Sequence, residues 1–513
     1  MSALKKLAGQ TAVYGLSSIL GRFLNYLLVP IYTRVFIGTE GVAEYGVSTY
    51  FYSIAAFGGV LYTYGMETAF FRFAQKEGEN PAKVFSTAAW SLIASSLVLS
   101  LGIFFFADSW ASSAGYAGKG SYFSFFAVIF AADAISTIPF TWLRQKNEAL
   151  RFATLRLLSI GVNIGLNLIF YVFLPYLSSK GLGQPLDLSV RWMFLANVAS
   201  SLVVLPFFKK EFEMLRLGID KVLWKRLFQY AYPLIFMGLA GMINETLSRI
   251  LMKKLLPDPS TADYQIGIFG AVYKLSIVMT LFIQAFKFAA EPFFFAQAKG
   301  ENSKKVYADV MQYFMIICSV IFVSVLLFLN VFKHFIGVSY HSGLKVVPIL
   351  LLANLFLGVY YNLSIWYKLT DKTRLGALVS IIGAIITIIL NYMWIPTYGY
   401  EGAAWSTLVC YASMAAMSFY LGQHYFPVPY KTTRILSYLA VSLGIYLVSE
   451  LIRGNMGYSA NQMVAINILL FFGFLFVLFK MEEPEARLAW AKTQGLMDTL
   501  GQKIQFLRKK IFN

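Results

Sequence analysis

Charge is what this chain lacks most. Only 13% of its 513 residues are Asp, Glu, Lys or Arg, while 58% are apolar; a soluble globular protein carries about 25% charged residues. With a mean hydropathy of +0.64, that leaves too little polar surface to solvate a chain of this size. The same figures exclude disorder, collagen, a coiled coil and a disulfide-rich scaffold, and leave a polytopic membrane protein. Cysteine is nearly missing: Cys318 and Cys410 both sit in apolar runs, staple nothing and say nothing of redox compartment. Histidine is as scarce. His334, His341 and His424 stand apart from one another and from other ligand types, so no catalytic constellation, metal site or cofactor is expected. Acid is short too, 25 residues against 43 basic ones, for a net charge of +18. A membrane protein uses such cations to mark its cytoplasmic side, so no nucleic-acid partner is implied.

What is present is long apolar runs. A spanning helix needs about 20 mostly apolar residues. Fourteen segments qualify: 11–36, 43–65, 86–106, 121–143, 154–174, 192–208, 230–252, 266–290, 309–330, 346–366, 376–396, 402–423, 435–452 and 463–480. Lys5 and Lys6 precede the first as they would a signal peptide, but no small-residue cleavage site follows, which reads as a retained helix. An even number puts both termini on one side. With that side inside, 29 Lys and Arg fall in the inner connections and 8 in the outer ones, which places both termini in the cytoplasm. The longest outer loop, 175–191, leaves no room for an extracytoplasmic catalytic domain, and no enzyme is expected.

The chain repeats itself. KEGENPAKVF (76–85) matches KGENSKKVY (299–307), with five of eight positions identical from Gly78 and Gly300. ETAFFRFAQ (67–75) echoes EPFFFAQ (291–297), and EYGVSTYFYS (44–53) echoes QIGIFGAVYKLS (265–276) through Gly46/Gly267 and Tyr52/Tyr273. Three matches in one order, at nearly one offset, point to duplication. The repeat holds six helices, so both copies insert the same way and are related by an axis along the membrane normal. The expected fold is therefore all-α: a six-helix lobe over 1–229, a second over 230–430, two added helices in 431–480, and a tail, 481–513. Two lobes facing a midplane cavity are the arrangement of an alternating-access transporter. The tail places Leu496, Leu500, Leu507 and Ile511 on one helical face among Lys503, Arg508, Lys509 and Lys510, either an amphipathic helix on anionic lipid or an ordinary solvated helix.

Charges inside spans are costly and usually face a cavity or a partner. The cations are Arg22, Arg34, Arg156, Arg249, Lys274 and Lys287; the acids are Glu67, Asp133, Glu245 and Glu291. Arg156, Asn163 and Asn167 form one stripe, Gln284, Lys287 and Glu291 another, and Asp133 sits beside Ser136 and Thr137. Glu245 and Arg249, four apart, have the spacing of an ion pair. Arg34, Lys287, Glu291 and Glu67 lie near helix ends, where snorkelling is an equal alternative, and the Asn residues also suit interhelical packing. The tyrosines of 45–64 serve packing, an interface belt or a sugar platform. Cations outnumber acids, which suits an anionic substrate, above all phosphate or pyrophosphate. The acids become candidate proton or Na⁺ sites, so an ion gradient is the expected energy source.

TAVYGLSSILGRFLNYLLVPIYTRVF (11–36), YGVSTYFYS (45–53), SRILMKKLL (248–256), GIFGAVYKLS (267–276) and AEPFFFAQ (290–297) together resemble the Wzx-like oligosaccharide flippases of the MATE-like, or MOP, superfamily. The resemblance implies a multi-pass protein of the bacterial cytoplasmic membrane. Such proteins move undecaprenyl-pyrophosphate-linked oligosaccharide outward for surface polysaccharide export, among membrane lipids and other polysaccharide assembly proteins. By that similarity Arg22 and Arg34 match the arginine pattern of the family's first helix, and Arg249 the arginine of its seventh. Ser248 stands where the family has an acid, so any pairing falls to Glu245. A lipid II flippase and a MATE-like multidrug exporter are the alternatives.

Overall fold

The computed structural model describes residues 20–483 except 22, 183, 185, 186, 217, 299, 301, 456, 457 and 460. Arg22, the start of the first expected span and all but 481–483 of the tail therefore lie outside the described residues. The main helices are α1 Val29–Val35, α2 Gly38–Thr63, α3 Met66–Phe73, α4 Pro81–Ser113, α5 Gly120–Gln145, α6 Ala149–Leu168 and α7 Arg191–Leu202. They continue with α8 Lys221–Leu255, α9 Pro259–Leu275, α10 Ile277–Gln297, α11 Ser303–Leu327, α12 Val347–Leu363, α13 Thr373–Tyr425 and α14 Thr432–Asn455; a last helix, α15, spans Asn461–Glu483. No strand occurs among the described residues.

Among the described residues, eleven helices are long and apolar enough to cross a membrane. One of them, α13, is two helical legs joined at Gly399, whose φ of 56° suits only glycine; a Cβ there would lie 2.1 Å from Gln265 Oε1. Helix α2 is long enough but is not among the eleven, because Gly, Ser, Thr and Tyr dilute its apolar content.

Local chemistry explains the boundaries. Asn80 Oδ1 accepts from the backbone N–H groups of Ala82 and Lys83, with Pro81 at the first helical position, so the GENP loop starts α4. The repeated GENS loop sits in the same register before α11, which starts at Ser303. Asp220 likewise caps α8 through the Leu223 N–H, at 2.8 Å. That bond, then Lys83 beside it, holds the Asp220 carboxyl below its ordinary range. Tyr64 and Gly65, both at positive φ, separate α2 from α3.

The described residues fall into two compact units, 20–303 with 333–427, and 304–332 with 428–483. In the second, α11, α14 and α15 are joined by buried polar side chains. Asn467 donates to the Leu327 carbonyl at 2.6 Å and accepts from Ser449 at 2.8 Å, while Glu482 accepts from Gln312 and Tyr438. Such bonds hold helices together where lipid offers no hydrophobic drive.

In the first unit, α2 and α9 pack backbone to backbone. A Cβ on Gly46 would lie 1.8 Å from the Asp263 carbonyl oxygen, and one on Gly267 2.1 Å from that of Val42. Asp263 is four residues before Gly267, and Val42 is four before Gly46. The contact is thus reciprocal, made by the repeat-related glycines upon each other's preceding turn. Small residues at such crossings let helix backbones approach.

Candidate functional site

The ends of α2 and α9 nearest this crossing belong to a densely tied end of the unit. Glu44 accepts from Lys119 (3.1 Å), Ser189 (3.1 Å) and the Val190 N–H (3.2 Å). Asp263 accepts from the Tyr116 hydroxyl and from Lys253, each at 2.6 Å. Burial, with Asp263 alongside, pushes the Tyr116 phenol far above its ordinary value, so it remains a donor. The 333–346 segment joins the same end: Gly337 N–H donates to Thr33, and Tyr340 donates to the Phe36 carbonyl. Lys345 pairs with Glu401. The rings of Tyr32, Tyr45, Tyr171 and Tyr340 fill the middle, with centroids 5.6–6.5 Å apart. Asp263→Ala leaves Lys253, itself 9% exposed, without its carboxylate; removing one partner of a fully buried pair costs about 3–5 kcal/mol, and this part-buried pair should lose less. A thermal melt of the purified protein should show that loss, and Asp263→Asn, which keeps an acceptor, a smaller one.

The structure sorts the sequence candidates into three groups rather than one. In the first, Arg249 of α8 is 8% exposed. Its guanidinium lies 4.4 Å from the Tyr273 ring centroid and 5.5 Å from that of Phe269, both on α9. Lys274 and Glu245 are within electrostatic reach. The ion pair that the spacing of Glu245 and Arg249 suggests is not formed: Arg249 donates instead to the Glu245 carbonyl at 3.1 Å, and the Glu245 side chain stays exposed. No carboxylate pairs with Arg249 among the described residues.

The second group is on α5 and α6. Arg156 lies 4.0 Å over the Phe140 ring, within electrostatic reach of Asp133 and Glu67. Both Asp133 and Arg156 are exposed. Ser136 and Thr137 do not serve the Asp133 carboxylate; each donates to its backbone carbonyl. Glu67 pairs with Arg144 at 2.8 Å, both side chains nearly half exposed. Asn163 and Asn167 are tied into a chain that reaches Asn197 and Tyr52.

The third group is on α10, where Lys287 lies 4.7 Å over the Tyr361 ring and Glu291 pairs with Lys368 at 2.8 Å. Arg34 joins none of the three. At the tied end it donates to the carbonyls of Pro30 (2.8 Å) and His334 (2.6 Å).

Several residues here escaped the sequence reading. Lys368 lies between two of the apolar runs, and Lys253, Asp263, Glu44 and Lys119 lie in loops or at helix ends, where charge is unremarkable. Their partners are up to 147 positions away, a distance that spacing within one helix cannot signal. Tyr52, by contrast, is legible twice in the sequence, as one of the tyrosines of 45–64 and by its place opposite Tyr273 in the repeat.

All-helical, multi-pass and with this helix order, the fold is that of a membrane transporter of the MurJ/MATE type. A lipid II flippase MurJ in an inward closed conformation superposes with a TM-score of 0.66 at 14% identity, covering 92% of this chain and 98% of that one. A multidrug resistance MATE family transporter of the MOP superfamily, inward-facing, gives 0.56 at 14% identity over 86% and 99%. An outward-facing one gives 0.55 at 14% over 84% and 96%. A family model described as "Polysaccharide biosynthesis protein" matches residues 7–297, more than half of the chain, which therefore belongs to that family. No curated protein sequence matches.

Proposed function

We propose that this protein flips undecaprenyl-pyrophosphate-linked oligosaccharide from the inner to the outer leaflet of the bacterial cytoplasmic membrane by alternating access. The observation that carries the reading is Arg249: a nearly buried guanidinium with no carboxylate partner among the described residues, in a transporter fold of a polysaccharide biosynthesis family. A cation held on aromatic faces, with Lys274 beside it, is prepared to receive a diphosphate bidentately. Arg156 and Lys287 offer further cations along the path; Arg34 lies on α1, and the family resemblance adds Arg22. Asp133 and Glu245, exposed beside cations, are the leading sites for a coupling proton or Na⁺, ahead of Glu67 and Glu291, which are already paired. The polyprenyl chain stays in the bilayer. Both termini face the cytoplasm, by the distribution of Lys and Arg, so the tied end is the outer one.

The test uses purified protein in proteoliposomes with labelled undecaprenyl-pyrophosphate oligosaccharide on one leaflet, with and without proton and Na⁺ gradients. Gradient-dependent appearance on the other leaflet is the expected result. Movement of lipid II alone, or uptake of a cationic dye alone, would replace the cargo with that of a MurJ-like or MATE-like protein.

A further inference from the structure

The repeat places a tyrosine at one position in each copy, Tyr52 and Tyr273, and the two are equipped differently. Tyr273 lies under Arg249. Tyr52 ends a chain of amides: Asn167 Nδ2 donates to Asn163 Oδ1 at 2.7 Å, Asn163 Nδ2 to Asn197 Oδ1 at 2.5 Å, and Asn197 Nδ2 to the Tyr52 hydroxyl. Every donor in the chain faces the same way. Asn167, at the far end, is 1% exposed and gives a second bond to the Asn163 carbonyl, which anchors the series. The Tyr52 oxygen is thus an acceptor within the protein, and its own hydrogen has no partner among the described residues. Hydrogen bonds aligned in series polarise one another, so that hydrogen is the strengthened, outward end of the chain.

The ring is fixed as well. Phe126 and Phe194 meet it edge to face at 5.6 Å each. Tyr32 and Tyr45 are also near enough to act on it electrostatically. Although α1, α2, α5 and α7 all contribute neighbours, Tyr52 remains 39% exposed, so its ring and hydroxyl are not closed off by the packing around them. The groups around the hydroxyl, Tyr32, Tyr45 and Asn197, carry no charge. An anion stripped of water would find no counter-ion there, whereas a sugar hydroxyl or ring oxygen needs only the donor. Tyr45, on the same helix as Tyr52, lies within electrostatic reach of both Arg249 and Tyr52.

We infer that Tyr52, oriented by Asn197, Asn163 and Asn167, is a carbohydrate subsite that binds the glycan of the cargo while Arg249 holds its diphosphate. This rests on the proposed flippase reading. The repeat supplies two like positions, and divergence has made one cationic and the other neutral and amide-backed.

Binding to the purified full chain separates the two positions, using polyprenyl pyrophosphate and the same carrier bearing an oligosaccharide. The wild type should prefer the glycosylated carrier. Tyr52→Phe keeps the ring and its packing but removes the donor. It should weaken binding of the glycosylated carrier by about three- to tenfold, the worth of one hydrogen bond, and leave the bare carrier unchanged. Asn163→Ala breaks the chain away from the cargo and should shrink the same preference by less; a merely structural role would weaken both carriers equally. A preference that survives Tyr52→Phe, or equal loss for both carriers, overturns the subsite. A wild type that binds the bare carrier with no gain from the glycan overturns the subsite and leaves the diphosphate seat standing. Binding of neither carrier overturns both.

Discussion

Gly46→Leu should abolish transport and leave the tied end accessible. A Cβ at position 46 would stand 1.8 Å from the Asp263 carbonyl oxygen and 3.0 Å from the Gly267 nitrogen. Both are backbone atoms, so no rotamer change relieves the clash; α2 and α9 must separate. Separation carries Asp263 away from Tyr116, and the ring cluster of Tyr45 and Tyr340 comes apart with it. Tyr340 is fully buried there, which supplies a readout. In a Tyr340→Cys background a membrane-impermeant maleimide should label position 340 poorly when Gly46 is present and readily when it is leucine. The native thiols, Cys318 and Cys410, are 0% exposed and contribute little background. Gly267→Leu should reproduce the result, because the contact is reciprocal; Gly46→Ala should give a weaker form of it. Unchanged labelling together with full transport in Gly46→Leu would mean that the crossing is not a closing surface of the cycle.

That pair of glycines also shows what could be read in the sequence. Their equivalence was visible as a repeat, because duplication leaves identities at a constant offset. Their meeting was not, since contact between two helices 221 positions apart leaves no mark on either one's periodicity. The same division holds at the site. Composition and run length announced a multi-pass helical protein, and the rarity of charge in apolar spans picked out Arg249, Lys274, Asp133 and Arg156. Spacing misled for Glu245 and Arg249: four residues along a helix allow an ion pair, yet the aromatic faces of Tyr273 and Phe269 draw the guanidinium away and leave the carboxylate exposed. Asn163 and Asn167 were legible as a polar stripe, but the partners that give the stripe a direction, Asn197 and Tyr52, sit on other helices.

Arg249 carries the other large expected effect, and its environment predicts an unusual combination of phenotypes. A guanidinium that is 8% exposed has lost most of its water, and the described residues return one carbonyl bond and two ring contacts but no ion pair. Cation–π contact yields about 0.5–2 kcal/mol, whereas burying a charge without an opposite one costs several. The folded protein therefore gains little from this charge. Arg249→Met keeps the length and packing of the side chain and should melt at or slightly above the wild-type temperature; on the proposed flippase function, flipping of the lipid-linked glycan falls by 100-fold or more, as about 3 kcal/mol of lost diphosphate contact requires. Arg249→Lys keeps a cation but loses the planar fork that engages two oxygens at once, and should fall between. Stability raised at the expense of activity is the mark of a residue kept for its ligand. A variant that unfolds in proportion to its lost transport would instead make Arg249 a packing residue, and the diphosphate would have to be sought among Arg156, Lys274 and Lys287.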